Sequence, residues 1–427
     1  MAPGAAERDG VSLVGYHDLE GRPGFKIALQ EVDGHWYLYY AGFWHSGWGV
    51  LDVTDPSNPT YLDWIDGPDN TLTLQVQVAD GLMVTSLEKP RAGRGPVDGP
   101  EADPASPYEE GIYLWDVRSD PRRPTRVGHY QTGGEGTHRN FYVGGDLAYL
   151  ASVPGGEFTG RLLEIVDVSD PSHPERVSRW WWPGQRAGDG VEPTETYYLH
   201  GPAYVRGDRA YLSYGSVGAI VLDVSDPAAP EQCSRLDFGD FGSWLGTHSA
   251  IPIPDTDLMV VNDEAILEGT PFESDGDPLN YAVIADISDI GEAGFVGQER
   301  RGPTLVSWLP HPRPSADVPF ETYHDKPGRF GPHNQHHYRD DGTRYRSSET
   351  LAMTWFNAGL RLYDISNPLA PTEVAHSVPE KPARRVGHPR PRTGLVGTFE
   401  DVVIDSRGYI YCTDPQQGLF VLESDRL

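Results

Sequence analysis

One short phrase recurs along this chain and limits what it can become. Leu162-Leu163-Glu164-Ile165-Val166-Asp167-Val168-Ser169-Asp170-Pro171 reads as an apolar strand running into a tight turn, and Pro174-Glu175-Arg176-Val177 begins the return strand. Asp170-Pro171 suits a type I turn, because the Asp side chain caps nearby amides and Pro presets φ at the second position. The same phrase stands at Val50–Pro56, Leu114–Pro121 and Val221–Pro227, with weaker copies at Ile284–Asp289 and Leu362–Pro368. A unit of this length, repeated this often, points to a propeller or a solenoid.

Composition agrees with many short strands joined by turns. The 427 residues include 49 Gly, 38 Pro, 22 Tyr, 13 Phe and 11 Trp. Two or three ordinary domains would fit this length, but the repeats favour one large domain. The formal net charge of −29 argues against nucleic acid or anionic membranes as partners. No apolar run reaches the roughly 18 residues of a membrane span. The start, Met1–Arg8, lacks a basic head followed by an apolar segment, so no secretory signal is visible. With Cys233 and Cys412 alone there is no disulfide framework, and a cytoplasmic, acidic protein is the expectation.

Blade counting follows from the repeats. Ser12–His17 resembles a return strand with nothing before it, and Gly418–Glu423 is a third strand after which the chain stops. The N-terminal strand therefore completes the last blade, which ties the ends together and removes open sheet edges. The expected fold is all-β: a seven-bladed β-propeller of four-stranded blades over residues 11–427, preceded by a disordered leader over 1–10. Inner strands are expected to start near Phe25, Thr71, His138, His200, His248, His333 and Glu400.

The repeat resembles that of the LVIVD-repeat family of bacterial β-propeller proteins across most of residues 12–423. The resemblance implies the architecture and leaves the activity open, since propellers include enzymes, binders and scaffolds. Departures from the repeat have to carry the function.

Loop length is the first departure. The insertions Glu88–Gly111 and Glu264–Asn280 lie between second and third strands, while Pro183–Tyr198, Arg300–Gly331 and His376–Thr398 lie between blades. Both connection types emerge on one face of a propeller, and long loops on one side of a rigid scaffold often carry function.

A histidine column is the second. His138, His200, His248 and His333 each open an inner strand in four consecutive blades, and an Asp follows at eight residues, or nine after His248. With 15 His in 427 residues, a chance column would usually hold none. Converging neutral imidazoles suit Fe, Cu, Zn or Ni. A set without thiolate or carboxylate favours Fe(II) first, with Cu or Zn as alternatives. The arrangement is similar in kind to that of the carotenoid-cleaving oxygenases, propellers that hold Fe(II) with four His, although no sequence motif of that family is matched. In the sixth blade either His333 or His336 supplies the ligand.

Other candidates surround this column. Glu400 and Glu135 are possible second-ring-nitrogen partners or general acid–base groups, and Lys26 falls in the column in blade one, there to bind a substrate anion or to pair with Glu400. Trp44 and His45, in a Trp- and Gly-rich loop, and Asn334, beside His333, are candidate substrate contacts; Trp44 and Trp48 equally suit packing between blades. Trp180-Trp181-Trp182 suits a contact in a homo-oligomer or packing against the 183–198 loop.

Two functions remain open. One is a metal-dependent enzyme acting on a small aromatic or apolar molecule by oxidative cleavage or metal-assisted hydrolysis or lyase chemistry. The other is a non-catalytic scaffold that binds a protein or ligand through its loop face.

Overall fold

Seven antiparallel sheets form a ring of blades. The computed structural model describes residues 3–191, 198–215, 217–237, 247–264, 281–288, 303–388 and 394–427. Blade one comprises Gly24–Val32, His35–Gly42, Gly47–Asp52 and Thr60–Asp66; blade two Val76–Ala79, Leu82–Leu87, Gly111–Asp116 and Thr125–Tyr130. Blade three comprises Gly136–Phe141, Leu147–Val153, Leu162–Asp167 and Glu175–Trp180; blade four Tyr204–Arg206, Arg209–Tyr214, Gly218–Asp223 and Glu231–Leu236. Blade five holds Thr247–Pro252, Leu258–Asp263, Ala282–Asp286 and Thr304–Trp308. In blade six the regular strands are Thr350–Thr354, Leu360–Asp364 and Thr372–Pro379, and in blade seven Asp401–Ile404, Ile410–Asp414 and Gly418–Ser424.

The ends close the ring as expected, with one correction. Val11–His17 pairs with Gly418–Ser424 and completes blade seven. The leader expected over 1–10 is not free where it is described, because Ala5–Asp9 forms a strand on the outer edge of blade six, paired with His376–Pro379. Glu7 anchors it: its buried carboxylate accepts from Ser315 N at 2.7 Å and from the Tyr323 hydroxyl at 2.9 Å. A polar sequence, Ala-Ala-Glu-Arg-Asp, gives no strand signal by itself, so the sheet edge imposes the conformation.

Inner strands vary more than the repeat suggests. In blade six the inner segment is irregular, yet His333 N bonds Thr354 O and His336 N bonds Ala352 O, so it lies against the first regular strand. Blade two pairs first at Leu72 with Glu88, and regular strand begins only at Val76 instead of near Thr71.

Turn chemistry explains the repeated phrase. The Asp that closes the third strand in blades one to six accepts from the amide two residues on, at 2.7–2.9 Å, in Asp52, Asp116, Asp167, Asp223, Asp286 and Asp364. The following outer strand then carries a one-residue bulge in every blade, at Leu62, Val127, Val177, Cys233, Val306, Val374 and Val14. A bulge bends and twists the strand and blunts its free edge. The residue after the bulge meets the next blade's turn. Ser178 and Ser307 donate to the carbonyls of Pro227 and Pro368 at 2.6 and 2.5 Å. Gly15 and Gly128 lie so close to Pro56 O and Pro171 O that a Cβ would stand 2.1 and 1.8 Å away.

Apolar clusters lie between neighbouring blades instead of at one centre. Trp48, for example, is fully buried against Tyr113 and Trp115 of blade two, which is the packing alternative for that residue. Trp181 likewise packs inward, against Phe158 and with its indole N–H on Asp189 at 3.1 Å, so the Trp180–Trp182 run covers the adjoining loop.

Candidate metal centre

Four histidines of the predicted column stand side by side in the channel. Ring centroids are 6.2 Å apart for His138–His200, 4.8 Å for His200–His248 and 4.7 Å for His248–His333. All four are buried, between 0% and 6% exposed. Backbone irregularity aims some of them: the inner-strand register breaks across His138-Arg139, across His248 and across Phe25-Lys26. Such breaks let neighbours that would alternate in a regular strand share one side.

A carboxylate that sequence reasoning missed joins the row. Glu264 Oε2 lies 3.0 Å from His200 Nε2 and 3.6 Å from His248 Nε2, and Oε1 lies 4.0 Å from His333 Nε2. One donor atom each from His200, His248 and Glu264 fall within 4.8 Å of one another. Arg329 pairs with the same carboxylate at 2.5 Å. Burial works to raise the Glu264 carboxyl, but Arg329 and the imidazoles outweigh it and hold it well below the usual glutamate range. Burial lowers the imidazoles in turn, His200 to about 4 and His138, His248 and His333 well below the ordinary value, so all stay neutral with a lone pair available.

Outer contacts fix the tautomers of two rings. His333 Nδ1 is 2.7 Å from the Glu400 carbonyl, so it donates there and leaves its lone pair on Nε2, towards the row. His138 Nδ1 lies 2.7 Å from Glu88 Oε2, a carboxylate–imidazole contact of the same orienting kind. The Nδ1 atoms of His200 and His248 are buried without a hydrogen-bond partner. Glu88 and Glu264 both stand one residue past a second strand, at the start of the two long insertions. That shared position was the available signal for both.

Several expected roles change. His336 is no ligand: Nε2 donates to Tyr345 O at 2.8 Å and Nδ1 accepts from Ile404 N at 3.1 Å, so neither nitrogen is free. Glu135 is not in the centre; its side chain is half-exposed and pairs with Lys89 at 2.6 Å. Lys26 is buried and pairs with Asp401 at 2.7 Å, not with Glu400 or a ligand. Asn334 is a structural residue, donating from Nδ2 to the Glu400 carbonyl at 2.8 Å. Trp44 and His45 do line a cavity of about 850 Å³ on the loop face, with the Trp44 indole N–H bonded to Pro415 O.

Glu400 stays close to the centre, with Oε2 3.5 Å from His333 Nδ1. Burial raises its carboxyl to about 7, against the pull of Arg329. A folded-state value above the unfolded one means that wild-type stability falls as pH rises from the ordinary glutamate range through 7. In metal-free protein, Glu400→Gln is expected to gain on the order of 2 kcal/mol over wild type between about pH 4 and pH 8. Urea unfolding at both pH values checks it, and a pH-independent difference would sink the assignment.

Does this donor set fit a metal? Neutral imidazoles, an ionised carboxylate and orphaned buried nitrogens all favour one. The carboxylate departs from the expected all-His set, and two His with one carboxylate suits Fe(II) or Zn. One contact opposes it. The Arg139 guanidinium lies 3.2 Å from His248 Nε2 and 3.4 Å from His333 Nε2, so a metal bound to either ring needs Arg139 to withdraw.

Comparison with known proteins bears on the fold. The LVIVD repeat matches residues 135–180 and 204–237, which fall in blades three and four. No curated protein matches the chain. Among solved structures, the Myceliophteria thermophila Cps50 (Swd1) β-propeller domain is similar at 8% identity, covering 94% of this chain and 98% of that one with a TM-score of 0.54. Saccharomyces cerevisiae Sqt1 aligns at 9% identity over 97% and 89% of the two chains, with a TM-score of 0.49. At such identity the likeness to the Cps50 domain speaks for architecture alone. Repeat, blade count and closure agree: the chain is a seven-bladed β-propeller that carries LVIVD repeats in its third and fourth blades.

Proposed function

We propose that the protein is a metal-dependent enzyme whose centre is His200, His248 and Glu264, with His333 as a further ligand. The convergence of one donor atom each from His200, His248 and Glu264 within 4.8 Å carries the reading. Fe(II) is the first choice, with Zn or Cu as alternatives. When bound, the metal would act as a Lewis acid or activate water or O₂ for cleavage of a small aromatic or apolar molecule. The Glu400 carbonyl would orient His333, while Glu88 holds His138, which stands beside the proposed ligands and is not one of them. The Glu400 carboxyl, raised to about 7, can hold or release a proton beside the centre.

Metal analysis of the purified protein tests this. Wild type is expected to hold one transition metal per chain, and His200→Ala or Glu264→Gln to lose at least about tenfold in affinity while keeping a β-rich circular dichroism spectrum. Metal-free wild type after growth and purification with added metal would end the proposal. The Arg139 contact favours a second reading, in which the imidazoles and guanidinium form a closed network in a non-catalytic scaffold. Metal-free protein with unchanged stability in His200→Ala is the result expected of that scaffold.

A further inference from the structure

We infer that the cavity beside the histidine row binds a small carboxylate bearing a flat apolar ring, with Arg94 as its ion-pair partner. The inference rests on the metal-centre reading only for calling that molecule a substrate; binding itself does not depend on it. The volume of about 850 Å³ is in the range of small-molecule sites. Its walls include Phe43, Trp44 and Trp64, which give flat apolar surface.

Arg94 is the informative residue. Its guanidinium stands 4.9 Å from the Phe43 ring and 5.8 Å from Trp44, and it makes no ion pair or side-chain hydrogen bond among the described residues. In a chain with 63 acidic and 34 basic residues, carboxylate partners are plentiful, yet among the described residues none is in ion-pair contact with this half-buried arginine, and Glu400 and Glu88 act on it only at longer range. Holding such a charge partly out of water costs stability unless an anion is supplied. A planar fork of N–H donors matches a carboxylate in two parallel bonds. Arg161 repeats the pattern nearby: it lies 5.3 Å from the Tyr198 ring and has a buried Nη1 without a partner.

Position links the cavity to the centre. Phe43 packs on Phe25 at 5.4 Å, and Phe25 packs on His333 at 5.7 Å. A ligand held by Arg94 would lie two rings from the imidazole row. The carboxylates that also line the cavity, Asp66, Asp69 and Glu101, are exposed on its rim, where water screens them.

The test uses the full chain and three probes, cinnamate, indole-3-acetate and 1-naphthoate, each beside its primary amide. Calorimetric titration is run on wild type, Arg94→Gln and Arg94→Lys, with metal and after chelation. At least one carboxylate should bind about 10-fold or more tightly than its amide, with the preference abolished in Arg94→Gln and partly kept in Arg94→Lys. Failure of all three carboxylates to bind, equal affinity for the amides, or an undiminished preference in Arg94→Gln would overturn the inference. Carboxylate binding to metal-free protein would sustain it while counting against the metalloenzyme, and metal content without binding would do the reverse.

Discussion

Asp401→Ala is expected to cost about 3–5 kcal/mol, because it strands a buried ammonium and cuts a tie across the ring closure. Asp401 is fully buried; Oδ1 takes the Lys26 ammonium at 2.7 Å and Oδ2 the Ile27 amide at 2.9 Å. One carboxylate in blade seven thereby holds the inner strand of blade one. Burial drags the Lys26 value down while Asp401 opposes the shift, so the ammonium depends on this partner. Lys26→Met with Asp401→Asn should recover most of the loss. That pair removes both charges and leaves an acceptor for Ile27. Chemical denaturation of wild type, single and double variants decides the matter. If Asp401→Ala were as stable as wild type, the tie would be ornamental.

Truncation should separate the two N-terminal strands. Removing residues 1–10 takes away the outer edge of blade six together with the Glu7 anchor, yet leaves the ring closed. Removing residues 1–17 also takes Val11–His17 and so uncovers the third strand of blade seven. Six ladder pairs are lost there, worth on the order of 6 kcal/mol at about 1 kcal/mol each, before the buried Val11 is counted. The shorter deletion is expected to lower the thermal midpoint and remain monodisperse. The longer one should abolish cooperative unfolding and aggregate through its open edge. Calorimetry and light scattering on both truncations give the answer; equal behaviour would mean that Val11–His17 does not close the ring.

Much of the architecture was legible because it is written several times. The Asp that caps the third-strand turn in six blades and the apolar run before it recur with little change, so blade number and closure follow from counting. Blade two escaped because its inner strand pairs at Leu72, breaks, and resumes at Val76. Ala5–Asp9 escaped because its strand conformation comes from an edge built of residues near the other end of the chain.

The site divides in the same way. The histidine row was legible, since its members stand eight or nine residues before a turn Asp in four consecutive blades. Glu264 and Glu88 were not, because they end second strands and approach the row only once neighbouring blades are in place. Arg139 follows His138 directly and alternation would send it elsewhere, but the broken register turns it into the channel. Lys26 was read as a partner of Glu400, whereas its partner is Asp401, one residue on.

The closure has a consequence for biosynthesis. Val11–His17 leaves the ribosome roughly 400 residues before its partner Gly418–Ser424. Until then the nascent toroid stays an open arc with unsatisfied amides at its first and last sheets. Its assembly ends with a docking event between two strands made far apart in time, and that interval is when chaperones would have most to shield.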